Sequence, residues 1–225
     1  RSSGRELPGV TGQMLYESRS YNERLGREEF TVAVQYRMAK KICAAQQSAL
    51  ADGYTLILYE GFRPYSVQLQ VSDSLSALME EVPEVRAGVE TEQWSINWFI
   101  AGGVSNHQQG YAIDVSLGRV GELTENVCGN YLYDTVSSYE ELAMPTAMHE
   151  LSIAAASMAR PVTSKSPTEW RKAAPAASMN EAAFALQDYC VSAGLTPLAS
   201  EWWHFNDLDC LSAVDESWTG DFVLS

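Results

Sequence analysis

Residues 105–117 read SNHQQGYAIDVSL, and the fold turns on how that run is divided. From Tyr111 onward apolar residues alternate with small or charged ones, which is the period of a strand with one apolar face. Tyr111, Ile113, Val115 and Leu117 fall on that face, with Ala112, Asp114 and Ser116 on the other. Asp114 therefore has small neighbours, leaving the space that a bound ion and its water require. Gly110 permits a turn that other residues resist, so His107 can converge on the point that Asp114 faces. The same spacing also fits a half-buried strand whose histidine and aspartate only hydrogen-bond each other.

Upstream, YTLILYEGF at 54–62 is rich in β-branched and aromatic residues and reads as another strand, interrupted at Pro64. Val34, Met38 and Ile42 recur every fourth position and predict a helix over 30–51 that stops at Asp52-Gly53. A second helix is expected from Ser66 to about Glu81, with Val67, Val71, Leu75 and Leu78 on one side, whereas 82–104 carry no clean period. Downstream, Ala and Ser crowd 153–178, which suggests an irregular surface region. Ser166-Pro167-Thr168-Glu169 has the form of a capping box and should open a short helix. Asn180 can cap another helix, whose Ala183, Leu186, Cys190 and Ala193 share a face and which Gly194 ends. Helices and strands mix without the alternation of a doubly wound sheet. The expectation is an α+β fold with a small, mostly antiparallel sheet, helices packed on it and the site at the sheet.

Composition narrows the function. The chain has 225 residues, enough for one large core, and no Pro/Gly/Ser-rich linker or repeat divides it. Fifteen basic residues stand against twenty-nine acidic ones, a net charge of -14 with no basic cluster, so a nucleic-acid surface is not expected. No apolar run approaches the roughly 20 residues that span a bilayer, and the opening segment RSSGRE is polar and does not read as a signal peptide. Cys43, Cys128, Cys190 and Cys210 lack C-x-x-C spacing, and they allow zero, one or two disulfides.

Histidine is scarce, at three residues: His107, His149 and His204, the last within Glu201-Trp202-Trp203-His204. Zinc takes nitrogen, sulfur or carboxylate ligands, and a catalytic site keeps three from protein with water in the fourth position. His107, Asp114 and His204 supply such a set. Glu201 beside it could act as general base, passing a proton from water to a leaving amine. In a regular strand Glu201 and His204 point to opposite faces, so a bulge or strand end must bring them together. The tryptophan pair reads equally well as a core anchor.

These segments resemble the S-x-H-x-x-G-x-A-x-D and E-x-W-H motifs of the zinc peptidases that include D-Ala-D-Ala dipeptidases and D,D-carboxypeptidases. GFRP at 61–64 resembles their arginine-bearing strand end, and the three motifs run in order from about residue 54 to 206. The resemblance implies one zinc ion on His107, Asp114 and His204, with Glu201 as the base. Arg63 would stabilise an oxyanion or hold the substrate carboxylate, although an ion pair with Glu60 would account for it as well. It further implies an N-terminal extension over 1–25 and a catalytic domain over 26–225. Ser105, Asn106, His149 and Glu150 become candidate substrate contacts.

AIDVSL and EWWHF look most like the dipeptidase branch, and MPTAMHE at 144–150 resembles that branch's M-G-T-x-F-D segment. Pro145 replaces its glycine. His149 stands where those enzymes carry the acid that meets the substrate's free amine, a role that Glu150 could take over; His149 itself reads either as a subsite residue or as a surface residue. The implied partner is a small D-amino-acid peptide, either free D-Ala-D-Ala or a peptidoglycan stem peptide. The implied setting is the bacterial cell envelope or exterior, with the cytoplasm as alternative. A serine or cysteine hydrolase finds no support, since there is no G-x-S-x-G elbow and no cysteine in a catalytic context. A noncatalytic wall-binding module with a structural zinc is the other rival, and Glu201 argues against it.

Overall fold

The run around Asp114 is the spine of the sheet. The computed structural model describes residues 1–10, 20–22, 27–29 and 32–213. Strand β4 (Ala112–Cys128) pairs antiparallel with β3 (Tyr54–Glu60) on one side and with β7 (Glu201–Asn206) on the other. Strand β6 (Thr196–Leu198) completes that side, and β5 (Tyr131–Glu141) pairs with the distal half of β4 as a projecting ribbon. A separate two-stranded pair, β1 (Ser20–Asn22) with β2 (Arg27–Glu29), precedes them. Every pairing among the described residues is antiparallel, as expected for this single-domain α+β fold.

Residues 112–118 of β4 are buried throughout, and burial gives way to exposure at Arg119, where the ribbon begins. Ile113, Val115 and Leu117 share one core cluster with Met38 of α1 (Tyr36–Ala51) and with Leu186 and Cys190 of α4 (Glu181–Ser192). Each such aliphatic side chain withdrawn from water contributes about 1.5–3 kcal/mol, so the apolar side of β4 is fixed against those helices. Asp114 and Ser116 then point the other way. A second cluster joins Leu75, Leu78 and Met79 of α2 (Tyr65–Glu81), Val85 and Val89 of α3 (Pro83–Val89), Trp94, Phe99, Leu151 and Met158.

Helix α2 begins directly after Pro64, close to expectation, and α4 is capped by Asn180, whose Oδ1 accepts from the Ala183 amide at 2.9 Å. Gly194, at φ +88°, ends it. The Ser166 hydroxyl accepts from the Glu169 amide at 3.3 Å as a capping box should, although the helix it opens is a single 3-10 turn, Glu169–Lys172. Three expectations need correction. Helix α1 begins at Tyr36, because the Gln35 amide donates to Gly110 at 2.8 Å and the Phe62 amide to Ala33 at 2.9 Å, bonds that hold the preceding segment extended. Residues 30 and 31 lie outside the described residues, as does the boundary drawn between 25 and 26. The irregular stretch 153–178 is not all surface, since Ala155, Ala156, Met158 and Val162 are buried. The unpatterned 82–104 contain helix α3. All four cysteines are free, and no helix among the described residues is long and apolar enough to cross a membrane.

Candidate metal centre

Three segments meet at Asp114. It pairs directly across the sheet with His204 on β7, and with Glu60 on β3 just past a bulge. His107 comes from the loop before β4. Gly110, at φ +73°, turns that loop, and the His107 Nδ1 donates to the Gly61 carbonyl at 2.7 Å. Gly61 itself admits no side chain, because a Cβ would stand 2.7 Å from the carbonyl oxygen of Ala33.

The donor atoms face one another closely. His107 Nε2 lies 3.1 Å from His204 Nδ1 and 3.3 Å from Asp114 Oδ1, and His204 Nδ1 lies 3.0 Å from that same oxygen. Zinc bonds of about 2.0–2.1 Å in a tetrahedron set ligand atoms roughly 3.3 Å apart, so these atoms fit such an ion with little adjustment. Each remaining ring nitrogen is engaged, since the His204 Nε2 donates to Asn206 Oδ1 at 3.0 Å. That bond leaves Nδ1 free to ligate, the usual service of a residue behind a metal-bound histidine. Asn206 is steadied in turn by Asn106 Nδ2 at 2.7 Å, and Asn106 accepts from the Tyr111 hydroxyl at 2.7 Å. Sequence reasoning passed over Asn206, yet it sits two residues beyond His204 on a strand and so shares its face.

Glu201 stands at the start of β7. The irregularity expected here is found in the β6–β7 pairing, where Leu198 faces Glu201 but Pro197 already faces Phe205. Glu201 Oε2 thereby comes within 3.6 Å of His204 Nδ1. Burial pushes the Glu201 carboxyl up to about 8; His204 opposes the shift and Asp114 adds to it. Burial also works against ionising Asp114, but His107, His149 and His204 hold it well below the usual carboxylate range.

Arg63 reaches several partners. Its Nε donates to both Glu60 oxygens at 3.0 Å, Nη1 to Gln68 at 2.8 Å and Nη2 to Asp114 Oδ2 at 3.4 Å. Its pairing with Glu60 and its place at the site hold together. His149, at φ +58°, brings its Nε2 to 3.1 Å from Asp114 Oδ2, edge-on to the rings of Tyr59 and Trp203. Glu60, Asp114 and His149 also lie close enough for an ion, but Arg63 binds both carboxylates, which disfavours a cation there. The other expected substrate contacts lie elsewhere. Ser105 Oγ accepts from the Gln108 amide at 3.2 Å within its own loop, and Asn106 serves Asn206. Glu150 is buried with its carboxylate turned to the amides of Ser3 and Gly4. None of these three side chains is turned to the centre.

The family model described as D-ala-D-ala dipeptidase matches residues 19–220. The chain belongs to this family. Membership makes it a metallopeptidase, and the match spans α1 to β7 with every residue of the centre. No curated protein matches the chain.

Proposed function

We propose that this family member hydrolyses the amide bond of D-Ala-D-Ala, with one zinc ion held by His107 Nε2, Asp114 Oδ1 and His204 Nδ1. The observation that supports it best is the trio of donor atoms 3.0–3.3 Å apart with the Glu201 carboxylate 3.6 Å away. Bound there, zinc supplies the Lewis acidity that polarises a carbonyl and brings water to a pKa of about 7. Glu201 would take a proton from the attacking water and deliver it to the departing amine, and its burial raises its basicity. Arg63, braced by Glu60 and Gln68, presents fixed positive charge beside Asp114, where charge develops on the carbonyl oxygen. A noncatalytic module would have no use for a buried carboxylate at that distance.

On the amino side of the substrate, one observation favours a second reading. Glu150 is committed to Ser3 and Gly4, so it does not meet a free ammonium, and a peptidoglycan stem peptide ending in D-Ala becomes the rival to the free dipeptide. Either substrate fits bacterial cell-wall metabolism, with the envelope or exterior as the proposed setting and the cytoplasm as the alternative. Turnover of D-Ala-D-Ala and of its N-acetyl derivative, measured on protein of known zinc content, tests the proposal. Faster cleavage of the free dipeptide is expected for a dipeptidase, whereas faster cleavage of the acetylated compound assigns a D,D-carboxypeptidase. Zinc-replete protein that cleaves neither compound nor any D-Ala-terminated stem peptide overturns the enzymatic reading.

A further inference from the structure

Residues 1–10 run along the body toward the loop that carries His149. Leu7 is buried in the α2–α3 cluster, and Ser74 Oγ and Gln70 Nε2 of α2 donate to the carbonyls of Pro8 and Gly9, each at 2.7 Å. Ahead of that anchor, Ser2 and Arg5 exchange backbone hydrogen bonds of 2.8 and 2.9 Å around Ser3 and Gly4, whose φ values are +47° and +74°. A turn with both central residues left-handed aims successive N–H groups to one side, forming a concavity that suits an anion.

The anion is Glu150. Its carboxylate accepts from the Ser3 amide, from the Gly4 amide at 3.2 Å and from the Ser152 hydroxyl at 2.9 Å. Ser2 and Leu151 add a hydroxyl-to-carbonyl bond of 2.7 Å. Glu150 is thus pinned on one side of the backbone while its neighbour His149 turns the other way, toward Asp114. A non-glycine residue at φ +58° is strained and holds that conformation only when its surroundings impose it.

We infer that the Ser3–Gly4 turn and Glu150 form a latch that sets the His149 backbone and so brings His149 Nε2 to Asp114. Glu150 is a positioning residue acting through His149. Its effect on catalysis rests on the proposed function, but the geometry does not.

Proton spectra of the histidine rings in the metal-free, full chain at one fixed pH test the latch. There are three histidines to resolve, and the Tyr59 and Trp203 rings beside His149 shift its signals. Glu150→Gln removes one acceptor. Gly4→Val strains the turn, whereas Gly4→Asn tolerates a positive φ and meets nothing within 4 Å of its Cβ. In Glu150→Gln and Gly4→Val the His149 signals should move to those of a free imidazole while the His107 and His204 signals stay. Zinc affinity by chelator competition should drop about tenfold, as for loss of a partner behind a ligand. Gly4→Asn should restore both. A folded Glu150→Gln with wild-type His149 signals overturns the latch, and so does Gly4→Asn behaving like Gly4→Val; should Glu150→Gln not fold, the Gly4 pair decides. An inactive wild-type chain would bear on the proposed function alone, since the spectra are recorded without metal.

Discussion

Burial makes Glu201 both useful and costly. Its folded-state pKa of about 8 lies above that of an unfolded carboxyl, so the native state holds the proton more tightly. The resulting stability is complete below the unfolded value of about 4.3 and is lost as pH rises toward 8. Asp114, shifted downward, contributes stability that is lost only in more acid solution, so it does not alter this window. The metal-free protein should therefore melt at lower temperature at pH 8 than at pH 5, and Glu201→Gln should flatten that slope in thermal melts. The same variant should keep its zinc and lose roughly 10²- to 10⁴-fold in turnover; a near-normal rate would remove Glu201 from the mechanism. The convergence of His107, Asp114 and His204 was legible because the chain has only three histidines, and their motifs fix the order. The ties of Asn106 to Asn206 and of Glu150 to Ser3 were not legible, since each joins residues about a hundred or more positions apart and no local period encodes such a pairing.

Short elements aim these side chains, and the decisive ones are irregular. β3 ends in Gly61, whose carbonyl orients His107 and whose lack of a Cβ lets the 32–35 segment press against it. Gly61→Ala must move backbone, because its methyl would meet the Ala33 carbonyl at 2.7 Å and Val32 at 2.6 Å. Overpacking of this kind costs about 1–3 kcal/mol, and zinc affinity should fall roughly 10- to 100-fold as His107 loses its orienting partner. Chelator competition checks this; unchanged affinity would mean that His107 is oriented otherwise. Helix α2, α4 and strand β4 were readable from periodicity, because each buries one consistent face. The late start of α1 was not, since Val34 continues the apolar spacing while tertiary hydrogen bonds from Gln35 and to Ala33 hold the backbone extended. The β6–β7 irregularity was expected only because Glu201 and His204 had to meet, so chemistry revealed it where pattern could not.

Two apolar clusters flank the centre, one under α2 and α3, the other between β4 and helices α1 and α4. Leu75 and Leu186, both fully buried, belong to one each. Replacing either with alanine should cost about 2–5 kcal/mol in denaturant unfolding, with zinc stoichiometry intact in the folded fraction. Stripping zinc should also lower the melting temperature, because its ligands converge only in the native chain; saturation at a hundredfold excess over Kd is worth about 2.7 kcal/mol. A chelator that left the melting curve unchanged would argue against a tightly held ion. The direct pairing of Asp114 with His204 carries this coupling further. Strand side chains alternate, so sliding β7 by one residue against β4 would throw His204 to the far face of the sheet. Only the correctly aligned sheet can then close around a cation, and misaligned chains forgo its binding energy. A cation held between these strands would thus favour the aligned sheet over its misaligned alternatives, tying the strand register to the site it carries.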